Sequence, residues 1–251
     1  MNVGLYSTYL GMKARQQRLD QIASNLANVS TDGFKADRLA FRAFNSNQPV
    51  DTANAGPVSA TNPRRAPETG VVTQQLTDFS AGPMRETGRS LDVTLDGPGF
   101  LTIQTPRGER YTRSGSLTLD ANGQLVTQNG DLVIGDGGPI TVGPGDVSIG
   151  DDGTISSNGQ IAGRLKIAQF NDPGTALQKE GHSLFLATGT EPAGESTSTR
   201  VMQGTLEMSN VNSLSEMVAM MQNTREFDSL QRSVSMMMND IGRTIANEIA
   251  K

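Results

Sequence analysis

Leu117-Thr118-Leu119-Asp120-Ala121-Asn122-Gly123-Gln124-Leu125-Val126-Thr127-Gln128-Asn129-Gly130-Asp131-Leu132-Val133-Ile134 holds three short apolar runs separated by two Asn-Gly pairs. Runs of this length and composition suit strands, and Asn-Gly supplies the left-handed backbone of the primed turns that join antiparallel neighbours. The same punctuation extends both ways. Apolar alternations occur at Leu91, Val93 and Leu95, at Phe100 to Ile103 and at Leu165 to Ala168, with Arg107-Gly108, Asp136-Gly137, Asp152-Gly153 and Asn158-Gly159 between them. The pattern predicts a compact antiparallel sheet or barrel of hairpins within residues 91–200. Residues 187–200, rich in Gly, Pro, Ser and Thr, read as a surface loop.

Outside this block the period changes from two to three and four. Leu5, Met12, Leu19 and Leu26 recur every seven residues, and Ile22 and Val29 follow the last two by three. They form one apolar seam on a helix expected from Leu5 to about Val29, ended by the turn residues Thr31-Asp32-Gly33. Phe34 to Phe44 is expected to add a short helical piece. At the other end, Met217, Met220, Thr224, Phe227, Gln231, Val234, Met238, Ile241 and Ile245 alternate steps of three and four, with Leu230 and Met237 widening the stripe. Ser213-Leu214-Ser215-Glu216 reads as a capping box at the start of this second helix. A run of nearly 40 residues would be about 55–60 Å long. Pro49, Pro57, Pro63, Pro67 and Pro83 make residues 45–90 an extended linker with one or two short strands.

The expected fold class is therefore α+β: long N- and C-terminal α-helices forming a coiled-coil-like pair, with a central, mainly antiparallel β domain. The expected division is 1–44, an N-terminal helical segment; 45–90, the linker; 91–200, the β domain; and 201–251, a C-terminal helical segment.

Composition excludes several function classes. A net charge of −5 without a basic block argues against nucleic acid as a partner. The absence of Cys removes disulfides and thiolate metal ligands. Lys13, Arg15, Arg18 and Asp20 interrupt the N-terminal segment, so no cleavable signal peptide and no membrane insertion are expected. His182 is the only histidine and reads as structural or exposed. Asp92 and Asp96, four apart on an expected strand, would share a side, an arrangement too common to mark an acid/base pair. Gly135-Asp136-Gly137-Gly138 lacks the spacing of a dinucleotide loop. The Met residues of the last helix suit adaptable packing better than soft-metal ligation. No catalytic, cofactor or metal site is expected.

Three blocks carry a resemblance to a known family. Ser24-Asn25-Leu26-Ala27-Asn28-Val29-Ser30-Thr31-Asp32-Gly33-Phe34-Lys35, the sheet segment from Leu91 through Gly97-Pro98-Gly99-Phe100 to Asp120, and Leu206-Glu207-Met208-Ser209-Asn210-Val211-Asn212 with Arg225-Glu226-Phe227 resemble the flagellar rod, hook and hook-associated axial proteins. The short chain and single sheet domain point to a rod member. Gly163 to Ile167 and Arg200 to Glu207 look more like proximal-rod than distal-rod proteins. The resemblance implies a non-enzymatic subunit of the periplasm-spanning drive shaft. It would be exported through the flagellar type III apparatus and assembled helically with itself and other rod proteins. The implied assembly interface comprises Leu5, Met12, Leu19, Ile22, Leu26, Val29, Met217, Met220, Phe227, Val234, Met238, Ile241 and Ile245, together with Asn25, Asn28, Gly33 and Phe34; the two Asn side chains are expected to bond backbone. The alternative from another class is an exported β-rich hydrolase or carbohydrate-binding module with helical oligomerisation arms, its activity resting on Asp92, Asp96 or Asp120.

Overall fold

The computed structural model describes residues 3–45, 69–189, 194–196 and 198–249. The chain forms two compact units, one of residues 1–24, 38–76 and 214–251, the other of residues 25–37 and 77–213. From the N-terminus, α1 (Val3–Ala27) is followed by β1 (Asp37–Asn45) and β2 (Thr69–Thr77), which pair as a two-stranded sheet. The short helix expected within 34–44 is thus a strand. Leu39, Phe41 and Ala43 alternate with Arg38, Ala40 and Arg42, a period of two that suits a pleated ribbon better than a helix face. Of the expected linker, residues 46–68 lie outside the described residues; the remainder holds β2 and β3 (Met84–Glu86).

The second unit is built on β4 (Val93–Asp96), β5 (Phe100–Thr105), β6 (Gly108–Thr112), β7 (Leu117–Leu119), β8 (Leu125–Thr127), β9 (Leu132–Gly135), β10 (Gly138–Pro139), β11 (Val147–Ile149), β12 (Thr154–Ser157), β13 (Gln160–Arg164) and β14 (Ile167–Gln169). A single-turn helix, α2 (Pro173–Ala176), leads to β15 (Leu177–Lys179), β16 (Leu184–Ala187), β17 (Gly194–Glu195), β18 (Arg200–Gln203) and β19 (Thr205–Glu207). Finally α3 (Ser213–Ile249) runs for 37 residues, about 55 Å.

The largest sheet runs β15-β16-β6-β5-β9-β8-β7, with β10 on β9 and β14 on β5, and its pairings are antiparallel. A three-stranded meander, β11-β12-β13, stands beside it. Leu101, Ile103, Leu125, Val133, Ile155 and Val201 form one fully enclosed apolar cluster, and Phe100, Tyr111, Phe170 and Phe185 a second. In the second, the rings meet edge to face at 5.0–5.9 Å, the packing their quadrupoles favour. The loop expected at 187–200 contributes β17, which pairs with β14, and buries Ser196 and Thr199, whose hydroxyls bond Pro98 O. Small hydroxyl side chains can satisfy a tight backbone approach, and composition alone cannot distinguish that role from solvent exposure.

Only one Asn-Gly pair forms the expected two-residue primed turn. Asn158 (φ 49°) and Gly159 (φ 79°) join β12 to β13, with Ser157 opposite Gln160. At Asn122-Gly123 the loop is longer because Asp120 Oδ1 accepts from both Asn122 N (2.8 Å) and Gln124 N (2.7 Å), an Asp-capped turn that lengthens the connection.

Candidate assembly site

The second unit carries a junction where segments from both chain ends meet the sheet. At the C-terminal side, β18 pairs with β4 and β19 with β3, so residues 200–207 lie antiparallel to residues 84–96. The turn after α1 packs here too. Asn25 is buried, and its amide bonds the Asp37 peptide twice: Nδ2 donates to Asp37 O at 3.0 Å and Oδ1 accepts from Asp37 N at 2.9 Å. This clamp closes the loop of residues 26–36, within which Thr31 donates to Asn28 Oδ1 at 3.3 Å. Gly33 has φ +67°, and a Cβ there would stand 2.3 Å from Ser114 N. Only glycine combines that backbone with that approach. Its N–H donates to Glu207 O at 2.7 Å.

Beneath the turn lies a buried charge cluster. Lys35 and Glu207 are 1% and 2% exposed and bond each other directly. Lys35 Nζ also donates to Ser80 O at 2.7 Å, and Glu207 Oε1 accepts from Gly82 N at 2.9 Å. Arg113 reaches the other carboxylate oxygen at 3.5 Å and donates to Leu95 O and Gly97 O. One carboxylate therefore answers two cations, and backbone carbonyls accept from Lys35 Nζ and from both Arg113 Nη atoms, while Arg113 Nε is buried without a partner among the described residues. Burial pushes the Lys35 ammonium and the Arg113 guanidinium down from their ordinary values, and in both the Glu207 charge opposes that fall.

A third cation closes the outside of the turn. Lys179 Nζ lies 3.5 Å from the centre of the Phe34 ring and donates to Lys35 O at 2.7 Å and Asp37 Oδ2 at 3.0 Å. Phe34 packs with Ala36, Val211 and Val29. Asn210 completes the arrangement: Oδ1 accepts from Ala36 N at 2.8 Å, and Nδ2 donates to Asp78 O at 2.8 Å and Ser80 O at 3.1 Å.

In the first unit α1 and α3 meet at polar groups. Arg15 Nη1 pairs with Glu226 at 2.7 Å, and Asn223 Nδ2 donates to Arg15 O at 2.9 Å. At 100° per residue, the sheltered positions Glu216, Met220, Asn223, Phe227, Leu230 and Val234 share one side of α3. Leu214, Met217, Val218 and Met221, all 41–69% exposed, form a stripe on the opposite side. The first turns of α3 thus carry an exposed apolar stripe on the side opposite the sheltered one.

The family described as flagella basal body rod protein matches residues 5–35, the FlgE/F/G D1 domain of the flagellar hook protein matches residues 94–157, and the flagellar basal body rod FlgEFG protein C-terminal family matches residues 202–246. Across nearly its whole length the chain is similar to the flagellar basal-body rod protein FlgF of Escherichia coli, with 37% identity covering 97% of this chain and 98% of the relative. It is 35% identical to the rod protein FlgG of Bacillus subtilis (92% and 93% covered) and 33% identical to FlgG of Buchnera aphidicola from Schizaphis graminum (92% and 94%). The chain belongs to the flagellar basal-body rod protein family.

In this rod protein the expected interface residues fall into distinct settings. Ile22, Asn25, Gly33 and Phe34 are buried, while Met12, Leu19, Leu26, Asn28, Val29, Met220, Phe227 and Val234 are partly exposed. Met217 and Met238 are 44% and 60% exposed. The side chains of Leu5, Ile241 and Ile245 lie outside the described residues. Sequence reasoning assigned no role to Lys35, Glu207, Asn210, Arg113 and Lys179, because isolated charges along a chain read as solvated. For all of these except Lys179, the usable signal was position inside the quoted motifs.

The residues of the alternative enzyme reading are engaged locally. Asp92 is fully buried, accepting from Thr87 and Arg89, whereas Asp96 is exposed at the end of β4, so the two do not form a pair on one side. His182 sits exposed in the turn between β15 and β16. Among the described residues no three His, Asp or Glu side chains gather as a metal site, and no described helix is long and apolar enough to cross a membrane.

Proposed function

We propose that this protein is a structural subunit of the flagellar basal-body rod, of the proximal type, and that it carries torque rather than performing catalysis. The observation that carries the reading is the division of surface in α3: one side is turned toward α1, while Leu214, Met217, Val218 and Met221 stand exposed on the other. An apolar stripe of this kind on a long helix marks a protein–protein surface. In this reading the terminal helices pair in coiled-coil fashion, and their outer faces, with the seam residues Leu5, Ile241 and Ile245, meet neighbouring subunits. Segments 1–44 and 201–251 form the tube wall, 91–200 stands as the β domain and 45–90 links them. The neighbours are copies of itself and other rod proteins; delivery is through the flagellar type III apparatus, and the site of action spans the periplasm.

The proximal assignment rests on Gly163 to Ile167 and Arg200 to Glu207, within a chain similar to relatives of both types. Electron microscopy of basal bodies from a deletion strain tests it. Loss of rod growth before the distal segment is the expected result, and a complete proximal rod lacking only its extension would assign the protein to the distal rod.

A further inference from the structure

Methionine carries all the sulfur in this chain. There are 11 of them, with neither cysteine nor tryptophan, so methionine is the side chain on which a peroxide acts, and exposure decides which ones react. On the exposed side of α3, Leu214 and Val218 make one row and Met217 and Met221 the row beside it, each pair four residues apart. Half of the apolar stripe is inert to oxidation and half is not. Met220, in the same turn, lies on the sheltered side. Met236 and Met238 are exposed too, but stand about four turns further on, past Arg225, Asp228 and Arg232 on the side of the stripe.

We propose that Met217 and Met221 form a methionine-oxidation site that controls whether the α3 stripe can be used for assembly. A peroxide transfers one oxygen atom to the thioether sulfur: the O–O bond breaks, an S–O bond forms, and hydrogen peroxide leaves as water while the sulfur is oxidised by two electrons. The product is a sulfoxide, a polar acceptor in place of a flexible apolar group. The free chain tolerates it, because both side chains face solvent. Against the apolar surface of a neighbour the new oxygen would be buried without a donor, which destabilises the contact. Only the row of Leu214 and Val218 then remains apolar. In a finished contact both sulfurs are covered, so oxidation acts on subunits before they assemble. The inference rests on the use of the stripe in assembly proposed above and adds its regulation.

Treatment of the purified full chain with dilute hydrogen peroxide, followed by peptide mass spectrometry, tests the site. Met217 and Met221 should convert severalfold faster than Met220, with an unchanged circular dichroism spectrum; equal rates at the three positions would overturn the assignment. For the consequence, the chain is expressed from an inducible copy in a deletion strain during a brief, sublethal peroxide exposure, and its incorporation into isolated basal bodies is measured. Met217→Leu with Met221→Leu keeps apolar volume and removes the reactive sulfur. This variant should incorporate normally and keep severalfold more incorporation under peroxide than the unsubstituted chain. Met84→Leu with Met202→Leu, which removes exposed methionines of the β unit, should leave the sensitivity unchanged. Met217→Gln with Met221→Gln puts a polar, uncharged group of similar length where the sulfoxide would stand, and should be excluded without peroxide. Equal sensitivity of the Leu variant and the unsubstituted chain, or normal incorporation of the Gln variant, would overturn the proposal. Aspartate at the same two positions separates the two readings. If Met217→Asp with Met221→Asp is excluded while the Gln variant enters, the assembly surface stands and only its control by oxidation fails; if both enter, the surface reading itself fails.

Discussion

The β unit and the helical unit handle their apolar and charged groups in opposite ways. In the β unit, large apolar side chains are enclosed, and even Lys35, Glu207 and Asp92 are buried with partners inside the same chain. In α3, four apolar side chains stand exposed on one side while an asparagine is buried on the other. A chain selected only for monomer stability would reverse that choice. The β unit encloses its own apolar and charged groups; in the proposed reading the exposed helix surfaces are kept for neighbouring subunits. Two of the motifs that carry the family resemblance, in the turn at residues 25–37 and the return strand at 200–211, belong to the self-contained unit and adjoin the helices in sequence.

The strongest way to break this contrast is to disturb the junction. Glu207→Gln would leave Lys35 and Arg113 buried without their shared counter-charge. Breaking such a pair costs about 3–5 kcal/mol, which for a domain of this size lowers the melting midpoint by roughly 10 °C. Thermal denaturation of the full chain by circular dichroism checks it. An unchanged midpoint would mean that the cluster is not needed to close the β unit.

Gly33→Ala comes next. A left-handed backbone at a non-glycine residue costs about 1–2 kcal/mol, and here the new methyl group would also meet the Ser114 backbone at 2.3 Å. A loss of about 2–3 kcal/mol in urea unfolding is expected. The companion substitution Gly33→Asn, tolerant of positive φ but no smaller, should recover little, because space as well as conformation is limiting.

A smaller effect sharpens the electrostatic side. Burial by itself would raise the Asp92 carboxyl, yet hydrogen bonds from Arg89 and Thr87, with the Arg89 charge, hold it below the ordinary aspartate value of 3.8. A depressed folded value means that the stabilisation is fully present above the unfolded value and is lost as the pH falls through the folded one. Stability should therefore decline with acid below about pH 3.8, and Asp92→Asn should flatten that part of the curve while lowering stability at pH 7. A decline of equal slope in both proteins would remove Asp92 from the account.

Much of this architecture was legible in residue pattern. The seven-residue repeats located both helices, and α3 begins at Ser213, where the Ser-x-x-Glu pattern stood. The hairpin region was legible because short apolar runs and Gly-bearing turns obey a local rule. The strand at Asp37–Asn45 was missed although Leu39, Phe41 and Ala43 alternate with Arg38, Ala40 and Arg42, because Ala40 and Phe44 blur so short an alternation and the strand forms by pairing with a segment distant in sequence, β2. The ionic junction was illegible for a related reason. Lys35 and Glu207 are 172 residues apart, and a charge declares its burial only once its partner is in place.

The exposed stripe of α3 gives the most direct test of the central claim that the β unit is self-sufficient while the helices are built for neighbours. Met217→Asp combined with Met221→Asp changes side chains that are 44% and 55% exposed, so the purified protein should unfold within about 0.5 kcal/mol of the unsubstituted chain. The same variant, expressed in a deletion strain, should be absent from isolated basal bodies and should leave the cells non-motile. Full incorporation with normal swimming would contradict the claim, showing that these residues are ordinary solvent-facing positions and that the contrast between the two units has no bearing on assembly.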